Sequence, residues 1–174
     1  IECHVQLATK SKLFTAINND AREAEPNTTV GPLCFGLPGT LPVLNSRAVE
    51  LAIRLGLALN ADINNVISFD RKHYFYPDNP SGYQITQMSQ PIILGGHVDA
   101  TTPEGLKFTV RLHHAHLEAD AGKLTHPTGA DYSLVDFNRV GTPLVEIVTE
   151  PDICSPAEAR AFAEELQKLV IFSG

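Results

Sequence analysis

From Phe108 to Asp120 polar and apolar residues alternate one by one, and the alternation changes phase once. Phe108, Val110 and Leu112 interleave with Thr109, Arg111 and His113. From His114 onward, His114, His116, Glu118 and Asp120 share a face opposite Ala115, Leu117 and Ala119. A period of two belongs to strands with one face toward a core. One extra residue near His113-His114, a β-bulge, accounts for the flip, and bulges re-aim side chains at sites.

The rest of the chain supplies partners for such strands. Residues 1–7 alternate cleanly, with Ile1, Cys3, Val5 and Leu7 on one face and Glu2, His4 and Gln6 on the other. Residues 15–32 are polar and turn-rich, and Gly36-Leu37-Pro38-Gly39 with Pro42 continues the turn chemistry. Asn45 is placed to cap a helix whose apolar stripe reads Val49, Ala52, Ile53, Gly56 and Leu57, ending near Leu59. Residues 66–76 read as extended, Pro77 to Gly82 as a turn, and short strands follow Gly95-Gly96. Leu144 to Val148 reads as a strand with Glu146 among apolar neighbours. Ser155-Pro156-Ala157-Glu158 is a complete helix start, followed by a buried stripe of Phe162, Leu166, Leu169 and Val170. Antiparallel strands with two helices that do not alternate with them predict an α+β fold.

Composition sets limits on function. A chain of 174 residues with 43% apolar and 19% charged residues can bury the core of one domain. Its 13 Lys and Arg against 20 Asp and Glu, a net charge of −7, argue against this segment being the main grip on nucleic acid, and DNA is not an expected partner. Cys3, Cys34 and Cys154 are odd in number and form no Cys-x-x-Cys, so neither a disulfide framework nor a four-thiolate zinc site is readable; a reducing cytosol follows. No stretch approaches the roughly 20 apolar residues of a membrane span, so no membrane role is expected. The chain opens in strand rhythm on Ile1 and closes directly after a helix, which predicts a piece of something longer.

The residues that carry chemistry are mostly carboxylates with cations nearby. Glu2 and His4 share one strand face, a pair that alone is ordinary strand polarity. Glu146 lies between Val145 and Ile147, where burial is costly unless a cation meets it; the bland alternative is an exposed edge glutamate. His113 and His114 read as strand-surface histidines, whereas His116 stands with Glu118 and Asp120. A cluster richer in carboxylate than in imidazole favours a hard cation such as Mg²⁺ over Zn²⁺. Arg71, Lys72, Lys123 and Arg139 supply positive charge, and Arg71-Lys72 runs directly into His73 and then Tyr74-Phe75-Tyr76. No glycine-rich phosphate loop and no nucleophile–base spacing is present. The residues alone therefore predict metal-assisted phosphoryl transfer by position and charge. Two other readings stay open: a metal-dependent hydrolase built on His4, His114 and His116, and a non-catalytic scaffold.

Glu2-Cys3-His4-Val5-Gln6-Leu7, Ser11-Lys12, Glu25-Pro26-Asn27-Thr28, Gly36-Leu37-Pro38-Gly39, Asp70 to Asp78, Gly82-Tyr83-Gln84-Ile85, His116 to Lys123, Asn138-Arg139, Gly141-Thr142-Pro143-Leu144 and Glu146 to Asp152 resemble, in order, the B-subunit of the aspartyl/glutamyl-tRNA amidotransferases. The resemblance implies that residues 1–174 are the N-terminal portion of an antiparallel cradle similar to glutamine synthetase, cut short and lacking a helical tail that grips tRNA. It implies a carbon–nitrogen ligase acting with ATP and Mg²⁺ on misacylated Glu-tRNA(Gln) or Asp-tRNA(Asn). In that reaction the side-chain carboxyl is phosphorylated, then amidated with ammonia that the amidase partner, the A-subunit, releases from glutamine; a small C-subunit clasps the pair. Cytoplasmic protein synthesis is the implied setting, and the piece by itself is expected to be inactive.

Carried over residue by residue, Glu2, His4 and Lys72 match pocket residues. His4, Glu118 and Glu146, with Asp120, become the candidate metal ligands; Arg71, Lys72, Tyr74, Lys123 and Arg139 become the candidate nucleotide contacts. Two departures matter. His116-Leu117-Glu118-Ala119-Asp120 has alanine where the family carries a second glutamate, which Glu118 or Asp120 would have to replace. Positions where many relatives hold zinc through paired cysteines read Thr15, Ile17 and Gly31, with only Cys34 left, so no zinc is expected.

Overall fold

The computed structural model describes residues 1–174. Ten strands and two helices run in the order β1 (Glu2–Gln6), α1 (Ser46–Ala58), β2 (Asp62–Ile63), β3 (Asp70–His73), β4 (Tyr83–Thr86), β5 (Ile93–Leu94), β6 (His97–Thr101), β7 (Lys107–Ala119), β8 (Lys123–Thr125), β9 (Leu134–Asp136), β10 (Pro143–Thr149) and α2 (Pro156–Ser173). Six strands form one sheet in the order β1-β10-β7-β5-β2, with β6 also paired to β7; β3-β4 and β8-β9 are separate two-stranded ribbons. All pairings are antiparallel, and the class is α+β.

Strand β7 organises the sheet. The alternation read as short strands is one strand of 13 residues, because its two halves find different partners. Residues 107–111 pair with β6, and residues 112–119 pair with β10, with β5 along part of the other side. The bulge lies where the phase flips: Val148 faces His114 and Thr149 faces Leu112, leaving His113 unopposed. Arg111 anchors the bulged end through paired bonds to Asp152 at 2.6 and 2.9 Å.

Both helices begin where capping chemistry dictates. The Asn45 side-chain oxygen accepts the Arg47 amide at 3.0 Å, opening α1. Its buried face is Ala48, Leu51, Ala52, Leu55 and Gly56, rotated from the expected stripe; Leu57 is exposed and Val49 and Ile53 are only partly covered. The helix turns that way because β5 and β2 reach it beside Gly56, where a Cβ would meet Ile93 and collide with Ile63. At α2 the Ser155 hydroxyl accepts the Glu158 amide, while the Glu158 carboxylate turns back to accept the Cys154 amide at 2.7 Å. Phe162 and Leu166 are buried as expected, with Leu169 and Val170 partly covered.

Leu51, Leu55, Phe162 and Leu166 cover one face of the sheet, packing on Ala115, Leu117, Val145 and Ile147 in a single apolar cluster. The opposite face of the same strands is left for polar side chains. No helix is long and apolar enough to cross a membrane.

Phe162 has no exposed surface at the centre of this cluster. Phe162→Ala should lower unfolding free energy by about 3–5 kcal/mol, measured by urea denaturation. A loss under about 1 kcal/mol would mean that α2 is not fastened to the sheet through this ring.

Candidate metal and phosphate site

Antiparallel register assembles the polar face. His4 of β1 pairs with Glu146 of β10, and Glu146 pairs with His116 of β7, so three strands contribute one residue each to a single row. Glu118 stands two residues farther along β7 on the same face. The His4 Nε2 lies 3.3 Å from Glu118 Oε1 and 3.4 Å from Glu146 Oε2. The His116 Nε2 lies 3.3 Å from Glu146 Oε2 and 3.7 Å from Glu118 Oε2. His4, Glu118 and Glu146 each offer a ligand atom within 4.8 Å of the others.

Burial makes this group more than surface polarity. Glu118 is 2% exposed and Glu146 9%, whereas the His4 side chain is about half open at 48%. Desolvation pushes the Glu118 carboxyl up, but the His116 imidazole, 3.7 Å from Oε2, and the charges of His4 and Lys72 outweigh it and hold the group below the ordinary glutamate value. Glu118 Oε2 and His116 Nδ1 are buried and have no hydrogen-bond partner. A buried carboxylate oxygen without a hydrogen-bond donor fits a site built around a cation.

Gln84 completes the first ring of contacts, although the sequence shows it only within the Gly82-Tyr83-Gln84-Ile85 motif and assigns it no role. Its Nε2 donates to Glu118 Oε1 at 3.1 Å and to the Ala119 carbonyl at 3.0 Å. Gln84 pairs with Lys72 across the β3-β4 ribbon, so the same contact brings Lys72 near the carboxylates. A second tie, from the Gly122 amide to the Asp78 carbonyl at 2.7 Å, fixes the ribbon's tip. Gly122 fits there because a Cβ would sit 3.0 Å from the carbonyl oxygens of Asp78 and Asp136. Pairing β3 with β4 around the Pro77–Gly82 turn was the signal that could have nominated Gln84.

The other nominated residues fall into distinct places. Glu2 is exposed on the face of His4, opposite Val148, outside the three-residue group. Asp120 lies one step beyond Glu118 but meets Arg139 Nε at 3.2 Å and Gln6 at 3.4 Å, apart from that group; burial raises its carboxyl, against the pull of Arg139. Arg139 also donates to the carbonyls of Ala121 and Gly122, and with Lys123 it lines a groove of about 650 Å³. Arg71 lies over the Tyr83 ring, 5.1 Å from its centre, and the Tyr74 hydroxyl donates to Asp78 at 2.8 Å.

Ala119 faces away from the row, toward a cavity it shares with Cys34 and Gln84. A longer side chain at 119 would start from the face opposite Glu118. His4, His114 and His116 do not form a compact ligand group of their own: His4 and His116 both meet Glu146, His114 stacks on His116 at 5.1 Å between ring centres, and the group whose ligand atoms lie within 4.8 Å of one another is His4, Glu118 and Glu146. Around Cys34, a Cβ at Gly31 would collide with the Ile17 side chain, so an apolar contact fills that space.

Gln84→Leu removes both donors to β7 and leaves the Glu118 oxygen underpaired. It should cost about 1–3 kcal/mol in unfolding free energy and make the 70–86 ribbon more sensitive to protease. Unchanged cleavage and stability would show that the ribbon is held by other contacts.

A sequence model of one protein family, the GatB/GatE catalytic domain, matches residues 1–174. The chain is 52% identical, over its whole length, to the aspartyl/glutamyl-tRNA(Asn/Gln) amidotransferase B-subunit of Symbiobacterium thermophilum, and covers 36% of that protein. It is 51% identical over its whole length to the proteins of the same name from Saccharophagus degradans and Thermotoga maritima, covering 36% and 37% of them. The chain thus spans a little over a third of the curated relatives it matches. Matched from end to end, it belongs to the GatB/GatE catalytic domain family.

Proposed function

We propose that this chain is the carboxylate-activating portion of the B-subunit in a tRNA-dependent amidotransferase. The observation that carries the reading is the group His4, Glu118 and Glu146, buried on one sheet face with the charge of Lys72 acting on it. The substrate would be glutamate or aspartate esterified to a non-cognate tRNA. Its side-chain carboxyl attacks the terminal phosphorus of ATP and releases ADP; ammonia then attacks the acyl phosphate and releases phosphate. The products are the amide and inorganic phosphate. Ammonia derives from glutamine hydrolysed on the A-subunit, with the C-subunit clasping the pair, in the cytoplasm. The antiparallel sheet would be part of a cradle like that of glutamine synthetase.

The residues fit the divalent cation this chemistry uses. His4, Glu118 and Glu146 would hold Mg²⁺, supplying charge to neutralise phosphate oxygens. Two carboxylates to one imidazole, with a donor-free Glu118 oxygen, suit a hard cation better than a thiolate-seeking one. The residues' own tasks then follow from placement. Lys72 binds phosphate oxygens and is steadied by Gln84 across the ribbon. Glu118 stays ionised because its neighbours stabilise the charged form. Arg71, Tyr74, Lys123 and Arg139 are the proposed nucleotide contacts; Lys123 and Arg139 share a groove with Arg22, Asp20 and Asp136. No compact three-histidine group supports the hydrolase alternative.

In the complete enzyme, Lys72→Ala should lower the transamidation rate by orders of magnitude while glutaminase activity largely survives. Near-normal amidation would remove Lys72 from the phosphate-binding role.

Glu146→Gln should weaken Mn²⁺ binding by about 10–100-fold, read by titration of the paramagnetic ion without substrate. An unchanged dissociation constant would show that the cation lies elsewhere.

A further inference from the structure

Lys12 and Cys34 form a buried pair that the carboxylate site does not use. Lys12 is fully enclosed, the largest side chain in the protein with no exposed surface, and Cys34 is 2% exposed. The Lys12 Nζ has one hydrogen-bond partner, the Cys34 Sγ at 3.6 Å. No carboxylate is within ion-pairing distance of it, although an isolated buried ammonium is among the costliest groups to enclose. Desolvation accordingly draws the Lys12 amine below its ordinary value, with the thiol and the more distant Asp136 opposing. A lysine that sheds its proton in such a pocket is a nucleophile.

The two ends of the pair are held in place. The Lys12 amide donates to Ile17 at 3.0 Å and the Leu13 amide to Gly141 at 2.9 Å, clamping the backbone on both sides. Gly141, at φ +82°, lies along the lysine stem. On the other side, the Cys34 amide donates to Gly31 at 2.9 Å. Cys34 is unpaired, and it forms part of the wall of a cavity of about 280 Å³. That space is large enough to hold a molecule as small as hydrogen peroxide beside Cys34, whose thiol is hydrogen-bonded to the lysine amine.

We propose that Lys12 and Cys34 are a covalent modification site, joined by a nitrogen–sulfur bond when the protein meets hydrogen peroxide. The Cys34 sulfur attacks one peroxide oxygen and the O–O bond breaks, giving the sulfenic acid and one water. The Lys12 amine, through its uncharged form, attacks that sulfur and the S–O bond breaks; the departing hydroxide takes the amine's proton and leaves as a second water. Thiol, amine and one peroxide become a sulfenamide and two waters, with sulfur oxidised by two electrons and the peroxide reduced by two. Two equivalents of a small thiol reverse it: the first attacks sulfur and releases the amine, and the second resolves the mixed disulfide. The bond would tie the 31–42 loop to the segment that follows β1, along the cavity that Gln84 and Asp120 also line.

The test is peptide mapping of the purified protein after exposure to hydrogen peroxide. The expected product is the Lys12 peptide joined to the Cys34 peptide, about 2 Da lighter than their sum, and lost on treatment with dithiothreitol. Cys34 recovered as thiol, sulfinic or sulfonic acid, with the Lys12 amine still open to acylation, would overturn the proposal. In Lys12→Met the expected outcome is Cys34 oxidised beyond rescue by dithiothreitol; reversible oxidation there would remove the lysine from the chemistry. The wild-type peptide map decides the question if that variant does not fold.

Discussion

Strand β10 lies between β1 and β7, and its register decides where the ionisable groups of the row stand. Antiparallel pairing puts directly opposed residues on one face, so Glu146 carries His4 on one side and His116 on the other. A slip of one residue in either ladder would send that partner into the apolar cluster and an apolar residue into the row. The bulge at His113 makes the arrangement possible. Before it, β7 alternates to satisfy β6; after it, the same strand offers Ala115 and Leu117 to the helices and His116 and Glu118 to the opposite face.

Enclosing Glu118 costs several kcal/mol unless partners replace its water. Those partners come from four places: His4 on β1, His116 on β7, Gln84 on β4 and the charge of Lys72 on β3. Removing one therefore leaves a buried charge short of compensation, more than it removes a single contact. The β3-β4 ribbon depends on this arrangement as much as it serves it. Its own ladder is four residue pairs long, and its docking uses Gln84 against β7 and Asp78 against Gly122. Lys72, on this ribbon, is positioned by the bond from its partner Gln84 to the carboxylate it accompanies.

Local signals in the chain determined a good part of this. The alternation in residues 1–7, the phase flip near His113, the Asn45 and Ser155 caps and the placement of Glu146 in a strand could be read because each depends on neighbours within a few residues. His4, Glu118 and Glu146 were nominated from strand phase and from family resemblance, and the fold brings these three together.

What pairs with what was decided only by tertiary structure, because those energies lie between residues far apart in the chain. The α1 face turned toward Ala48, Leu51 and Leu55 when β5 and β2 took the side at Gly56. Asp120, in phase with Glu118, settled on Arg139 and Gln6 because β7 ends at Ala119 and the chain there bonds to Gly141 and Thr142. Gln84 carried no charge or spacing that marked it. Lys12 stood in the sequence only within the Ser11-Lys12 motif, and packing alone enclosed it and left a thiol as its partner. Periodicity states which face a residue takes; only the assembled sheet, with its desolvation costs and available donors, states what that face meets.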